Sequence, residues 1–136
     1  MSGLRSFLAV LVGLVAVFVF SIAGTMLAVH VFLAKPPDGA PVVANVPYLA
    51  ARIVASLIAG GLGGTICAAF AQTRPLLHGA SLGVVILTIA AVAASTLAAP
   101  PPGVRWQGML VATAAGAGAI SGSLIWRALA FARRRG

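Results

Sequence analysis

Hydrophobic positions in this chain fall into long unbroken blocks, not into short alternations. Four blocks stand out: Phe7 to Ala34, Tyr48 to Ala71, Leu76 to Ala99 and Val104 to Trp126. A helix needs about 20 apolar residues to cross the hydrocarbon core of a bilayer, and each block is long enough. The first carries no Arg, Lys, Asp or Glu; Arg52 is the one charge of the second, and Arg105 stands at the start of the fourth. Between the blocks lie KPPDGAPVVANVP, QTRP and PPPGV, the proline and glycine clusters that end helices and build turns. Links this short make consecutive helices antiparallel neighbours. The expected fold is an all-α membrane protein: four transmembrane helices near 7–34, 48–71, 76–99 and 104–126 in one antiparallel up-down bundle, then a basic tail at 127–136. Arg5 followed by an apolar stretch and the small pair Ser21 and Ala23 also resembles a signal peptide. The apolar run continues well past Ala23, however, beyond the roughly 7–15 residues of a signal core, so a retained helix is expected, long enough to tilt and to bring His30 to the interface.

Composition sharpens this picture. Of 136 residues, 61% are hydrophobic and 7% charged, against about 25% charged in a soluble domain. Mean hydropathy is +1.12. The net charge of +8 comes from nine basic residues against Asp38 alone. A nucleic-acid binder would gather such charge on one soluble face; here it is scattered between apolar blocks, so no nucleic-acid partner is expected. Arg5, Arg74, Arg127, Arg133, Arg134 and Arg135 share one side of a four-span arrangement, and Lys35, Arg52, Arg105 and Asp38 the other. The positive-inside bias then places both termini in the cytoplasm. Tyr48 and Trp106 fall at the outer interface and Trp126 at the inner one, where aromatic belts form. The terminal ARRRG is suited to anionic lipid headgroups. These residues, Tyr48, Arg52, Arg105, Trp106, Trp126, Arg133, Arg134 and Arg135, are the expected interfacial anchors. Arg52 lies roughly 7 Å along a helix from Pro47, and the run from Ile53 to Ala71 is charge-free. Its side chain can therefore snorkel to the headgroups, with Asp38 as a potential partner on the same side.

Small residues carry the next signal. Lipid tails are as apolar as leucine, so helices associate in a membrane by close approach, which small residues four apart allow. Ser56, Gly60, Gly64 and Ala68 follow this step in the second block, Gly79 and Gly83 open the third, and the fourth holds Gly108, Ala112 and Gly116 together with Gly118 and Gly122. LAVLVGLVAVFVF in the first block is mostly bulky, so helices two to four are expected to pack closely with the first more peripheral. Arginine outnumbers lysine eight to one and alanine is abundant. That bias points to a GC-rich bacterial genome, and it could itself produce such spacings. PPDG and PPPG, with AFAQTR and AFARRR, suggest two tandem helix pairs offset by 64 and 61 residues.

Catalytic and cofactor motifs fare poorly. GASLG at 79–83 matches G-x-S-x-G, but that motif needs a strand, a strained turn and distant acid and histidine partners; here it lies in an apolar helix. GGLGG and GAGAISG follow no strand and lack the lysine of a phosphate loop. Cys67 is alone inside an apolar run and reads as a packing residue. His30 and His78 sit near opposite ends of their helices, so no metal site or cofactor is expected. No span carries the carboxylate that coupled cation transporters use. The segment YLAARIVASLIAGGLGG…RPLLHGASLG resembles that of small uncharacterised bacterial four-helix membrane proteins, in which a glycine-rich second helix is followed by a short basic turn and a third helix with a similar opening. The resemblance covers about the middle third of the chain and implies the bacterial inner membrane, with no activity attached. The functional expectation is a non-enzymatic membrane protein, a structural, accessory or assembly component that packs through its small-residue faces as a homo-oligomer or within a larger membrane complex. The alternative is a passive channel or small transporter for anions or neutral solutes, suggested by Lys35, Arg52 and Arg105 facing a single Asp38.

Overall fold

The structure, a computed structural model, describes residues 2–32, 46–71, 74–96 and 102–133. Lys35, Asp38, Arg134 and Arg135 lie outside the described residues, as does the side chain of Arg105. The described chain is all-helical: α1 (Ser2–Phe32), α2 (Val46–Ala71), α3 (Pro75–Thr96) and α4 (Pro102–Arg133). Each helix is long and apolar enough to cross a membrane. Even the shortest, α3 with 22 residues, runs about 33 Å at 1.5 Å per residue.

Two of the helices open on proline. Pro75 and Pro102 take the first helical position, where the missing N–H costs nothing and the fixed φ suits the helix. Just before Pro75, Arg74 has φ 49°, the left-handed region in which a side chain is disfavoured. Its carbonyl accepts from the backbone N–H of Leu77 at 3.0 Å and of His78 at 3.4 Å, so the turn ties itself to the start of α3. At the other extreme, α4 continues to Arg133, so Arg127 and Arg133 ride on a helix where a tail was expected. Ala and Arg are good helix formers, nothing in WRALAFAR breaks the helix, and Arg133 in its last turn complements the helix dipole.

Packing follows an order that the sequence does not announce. The most extensive contact joins α2 to α4, followed by α1 to α2 and α3 to α4; α2 with α3, and α1 with α3, touch less. As expected, α1 is the least buried of the four helices, but it is not loose: one face of it packs closely on α2. Ala9, Val17 and Ala28 of α1 are buried, and Gly13 lies so close to its neighbours that an added Cβ would stand 2.7 Å from Cys67 Cβ, 3.0 Å from the Gly63 carbonyl and 3.1 Å from Leu82 Cδ2. Further along, a Cβ on Gly24 would lie 2.7 Å from that of Ala55. Most bulky residues of α1 point elsewhere, while Ala9, Gly13, Val17, Gly24 and Ala28 form one line toward its neighbours. The core is correspondingly small in its side chains: Ala9, Val17, Cys67, Ala71, Leu82, Ala115 and Ala119. Leu82 is the largest side chain to be fully buried.

Candidate functional site

The α2–α4 seam is made by backbone. At Gly60 and Gly64 the carbonyls of Ala115 and Ala119 occupy the places that Cβ atoms would take, and at Gly118 and Gly122 the carbonyls of Leu57 and Gly61 do the same. Each helix thus presents glycine Cα–H groups to carbonyls of the other, a recurring weak hydrogen bond at close helix interfaces. Gly63, whose role sequence spacing did not suggest, faces the other way. A Cβ there would strike Val17 and come 2.8 Å from the Gly13 carbonyl. The paired glycines of GGLGG therefore serve two neighbours, with Gly60, Gly61 and Gly64 toward α4 and Gly63 toward α1.

The remaining small residues of the expected face divide. Ser56 and Ala68 are buried. Gly79 abuts Ser123, with an added Cβ 2.6 Å from Ser123 Cβ. Gly83 and Gly116 meet more loosely, a Cβ on Gly83 lying 3.3 Å from the Gly116 carbonyl. Gly108 departs from the expectation: nothing stands within 4 Å of a Cβ placed there. The four-residue step runs true along α4, but the opposing helices have moved away at that level and Gly108 borders a cavity.

That cavity, about 580 Å³, is bounded by α1 from Leu14 to Val29, by Arg52 and Ser56 of α2, by Ile86, Ile89 and Ala90 of α3, and by α4 between Gly108 and Ala115. It exists because α1 and α4 share no extended contact. Toward its far end the gap between α1 and α3 closes where Gly13 meets Leu82. Its walls are apolar apart from Arg52 and the hydroxyls of Ser21, Thr25 and Ser56. The Arg52 guanidinium lies over the Tyr48 ring, 5.7 Å from the centroid, within cation–π range. Its Nε is buried and has no hydrogen-bond partner among the described residues. A buried donor left unpaired is costly, which makes Arg52 the most conspicuous polar group in the fold.

A second groove, of about 720 Å³, lies between the start of α1 and the start of α3 and is lined in part by Ser6, Arg74, His78 and Ser81. His78, near the start of α3, is buried. Its Nδ1–H donates to the Arg74 carbonyl at 3.1 Å, so the ring folds back on the turn that precedes it. The Cys67 thiol, also buried, lies 3.8 Å from the His78 carbonyl. Other polar groups in the helices are turned inward on their own backbone. Thr65, Ser81, Thr88, Ser95, Thr96, Thr113, Ser121 and Ser123 each donate to a carbonyl three or four residues earlier, the usual way for a hydroxyl to be satisfied in an apolar helix.

Among the expected anchors, Trp106 is exposed near the start of α4, Tyr48 is half-buried near the start of α2, Trp126 is half-buried toward the end of α4 and Arg133 is exposed at its last turn. Gln107, beside Trp106, is buried. No family model, curated protein or solved structure matches the chain.

Proposed function

We propose that the chain is an integral membrane protein of the bacterial inner membrane and acts there as a non-enzymatic structural or accessory component. In this reading the four helices form an antiparallel up-down bundle with Arg5 and Arg133 on the cytoplasmic side. The order of contacts supports such an arrangement. Gly13 meets Cys67 while Gly24 meets Ala55, and Gly79 meets Ser123 while Gly83 meets Gly116, so in both pairs one helix ascends as the other descends. The observation that carries the reading is what faces outward. Leu4, Phe7, Met26, Leu27, Val84 and Phe131 are all more than half exposed, spread over several helices and over their length, a surface that hydrocarbon accommodates and water does not. Thr65, Ser81, Thr88, Ser95, Thr96, Thr113, Ser121 and Ser123 are bonded to their own backbone, which favours a structural over a catalytic or conducting use of these hydroxyls.

Single cysteines at Gly3, Val46 and Arg133, introduced with Cys67→Ser, test insertion and direction together. A membrane-impermeant thiol reagent applied to intact cells is expected to label position 46 and to spare 3 and 133 until the cells are opened. Labelling of 3 and 133 from outside would reverse the orientation, and release of the protein from membranes by alkaline carbonate would remove the membrane reading altogether. Anion flux above that of empty vesicles in reconstituted liposomes would favour the channel alternative.

A further inference from the structure

We propose that the cavity beside Arg52 seats one acyl chain of an anionic phosphodiester lipid, with its phosphate held by Arg52. The proposal rests on the membrane reading above and adds an occupant to it. The cavity follows α1 from Leu14 to Val29, a length of about 22 Å along the helix. That exceeds the ~15 Å that one leaflet contributes to a ~30 Å hydrocarbon core, so a full lipid tail fits end to end. Water gains little from such walls, because it needs several polar partners to stay. An apolar groove that opens sideways into a bilayer is instead filled by lipid tails, since empty space forfeits dispersion contacts.

Charge selects which lipid. The cavity is one-ended in polarity: Arg52 stands toward the Val29 and Gly108 end, and the Leu14 end is apolar. Arg52 is six residues into α2, about 9 Å from the helix start, a depth from which its side chain reaches the headgroup region. Tyr48 holds the guanidinium from one side, and Arg52 supplies the one charge of the cavity wall among the described residues. A guanidinium fork matches the paired oxygens of a phosphate. In a zwitterionic lipid the headgroup's own cation competes for that phosphate; a lipid with net negative charge offers it uncontested. Gly108 completes the site by absence of a side chain, since open space lies where its Cβ would be.

The test is retention of lipid by the full-length protein in mild detergent, read by native mass spectrometry. The protein is offered equal amounts of phosphatidylglycerol and phosphatidylcholine with identical palmitoyl and oleoyl chains. The expected result is one phosphatidylglycerol per chain, favoured by about tenfold (~1.4 kcal/mol), the scale of the extra attraction that Arg52 has for a lipid whose phosphate is not offset by a choline cation. Arg52→Gln is expected to abolish the preference while leaving residual binding of either lipid, and Gly108→Phe, which fills the open rim, to lose both. Equal retention of the two lipids by the natural protein would overturn the proposal. So would an undiminished phosphatidylglycerol preference in Arg52→Gln, which would assign the lipid to the other basic residues, or undiminished binding in a folded Gly108→Phe. Should Gly108→Phe fail to fold, Arg52→Gln decides alone. A protein that stays soluble without detergent would instead refute the membrane reading, a separate outcome from losing the lipid site.

Discussion

Glycines that look alike in the sequence have opposite surroundings in the fold. Gly60 and Gly108 both belong to four-residue series of small residues, yet one faces a backbone carbonyl and the other open space. Gly60→Ala is therefore expected to destabilise, because the methyl would overlap the Ala115 carbonyl, which cannot rotate away; overpacking of this kind costs about 1–3 kcal/mol or more. Gly108→Ala is expected to stabilise by about 0.5–1 kcal/mol, since it only removes backbone freedom from the unfolded chain. Unfolding of the two variants in a denaturing-detergent titration checks the sign of each, and a shared sign would refute this account of the seam. The spacing of Gly60, Gly64, Gly118 and Gly122 is visible in the sequence. What stands opposite each of them is not, because a step of four marks a face without naming its neighbour. Arg52 was legible as a charge near a helix start, but its unpartnered Nε and the cavity beside it depend on where α1, α3 and α4 end up.

At the level of the helix, the existence of four elements follows from apolar length, and their ends follow less well. Proline opens α3 and α4, whereas α4 passes beyond Trp126 because Arg and Ala offer no reason to stop. The role of α1 was hidden by its bulk. Ala9, Gly13, Gly24 and Ala28 lie in a helix otherwise rich in Leu, Val and Phe, and no pair among the first helix's glycines is four apart. Gly13 and Gly24 are eleven apart, however, which is three turns and returns to the same face. That face meets α2 at Ala55, Gly63 and Cys67, and at Gly13 it also reaches Leu82 of α3. Gly13→Leu should lift α1 off both helices and lower thermal stability in detergent, whereas Gly3→Leu, with nothing within 4 Å of its Cβ, should leave the melting temperature close to that of the natural protein. Equal melting of the two variants would show that the Gly13 contact contributes nothing to holding α1 in place.

Across the molecule, the seam contains a symmetry that the rest of the fold does not share. Gly60 against Ala115 recurs 58 residues on as Gly118 against Leu57, and Gly64 against Ala119 recurs as Gly122 against Gly61. So α2 and α4 meet as two like helices would. The offset is not the 64 or 61 read from PPDG, PPPG, AFAQTR and AFARRR, because links and helix ends can change length while a backbone seam cannot. Nor do the flanking helices obey it. Positions on α4 that correspond to Ala55, Gly63 and Cys67 are Thr113, Ser121 and Ile125, all exposed, while α3 packs on another face of α4 around Gly116, Ala119 and Ser123. Lying close enough to touch each other at Gly13 and Leu82, α1 and α3 leave the cavity between their far halves. The glycine faces expected to pack helices two to four together are engaged within the chain, and an assembly using the same faces would have to open the α2–α4 seam. Gly118→Leu separates these uses. Because its side chain would collide with Leu57 of the same chain, the expected loss of stability is undiminished when the protein is diluted in lipid or detergent. A defect that appears only at high protein-to-lipid ratio, with the isolated chain unfolding like the natural protein, would mean that the α2–α4 seam forms between molecules.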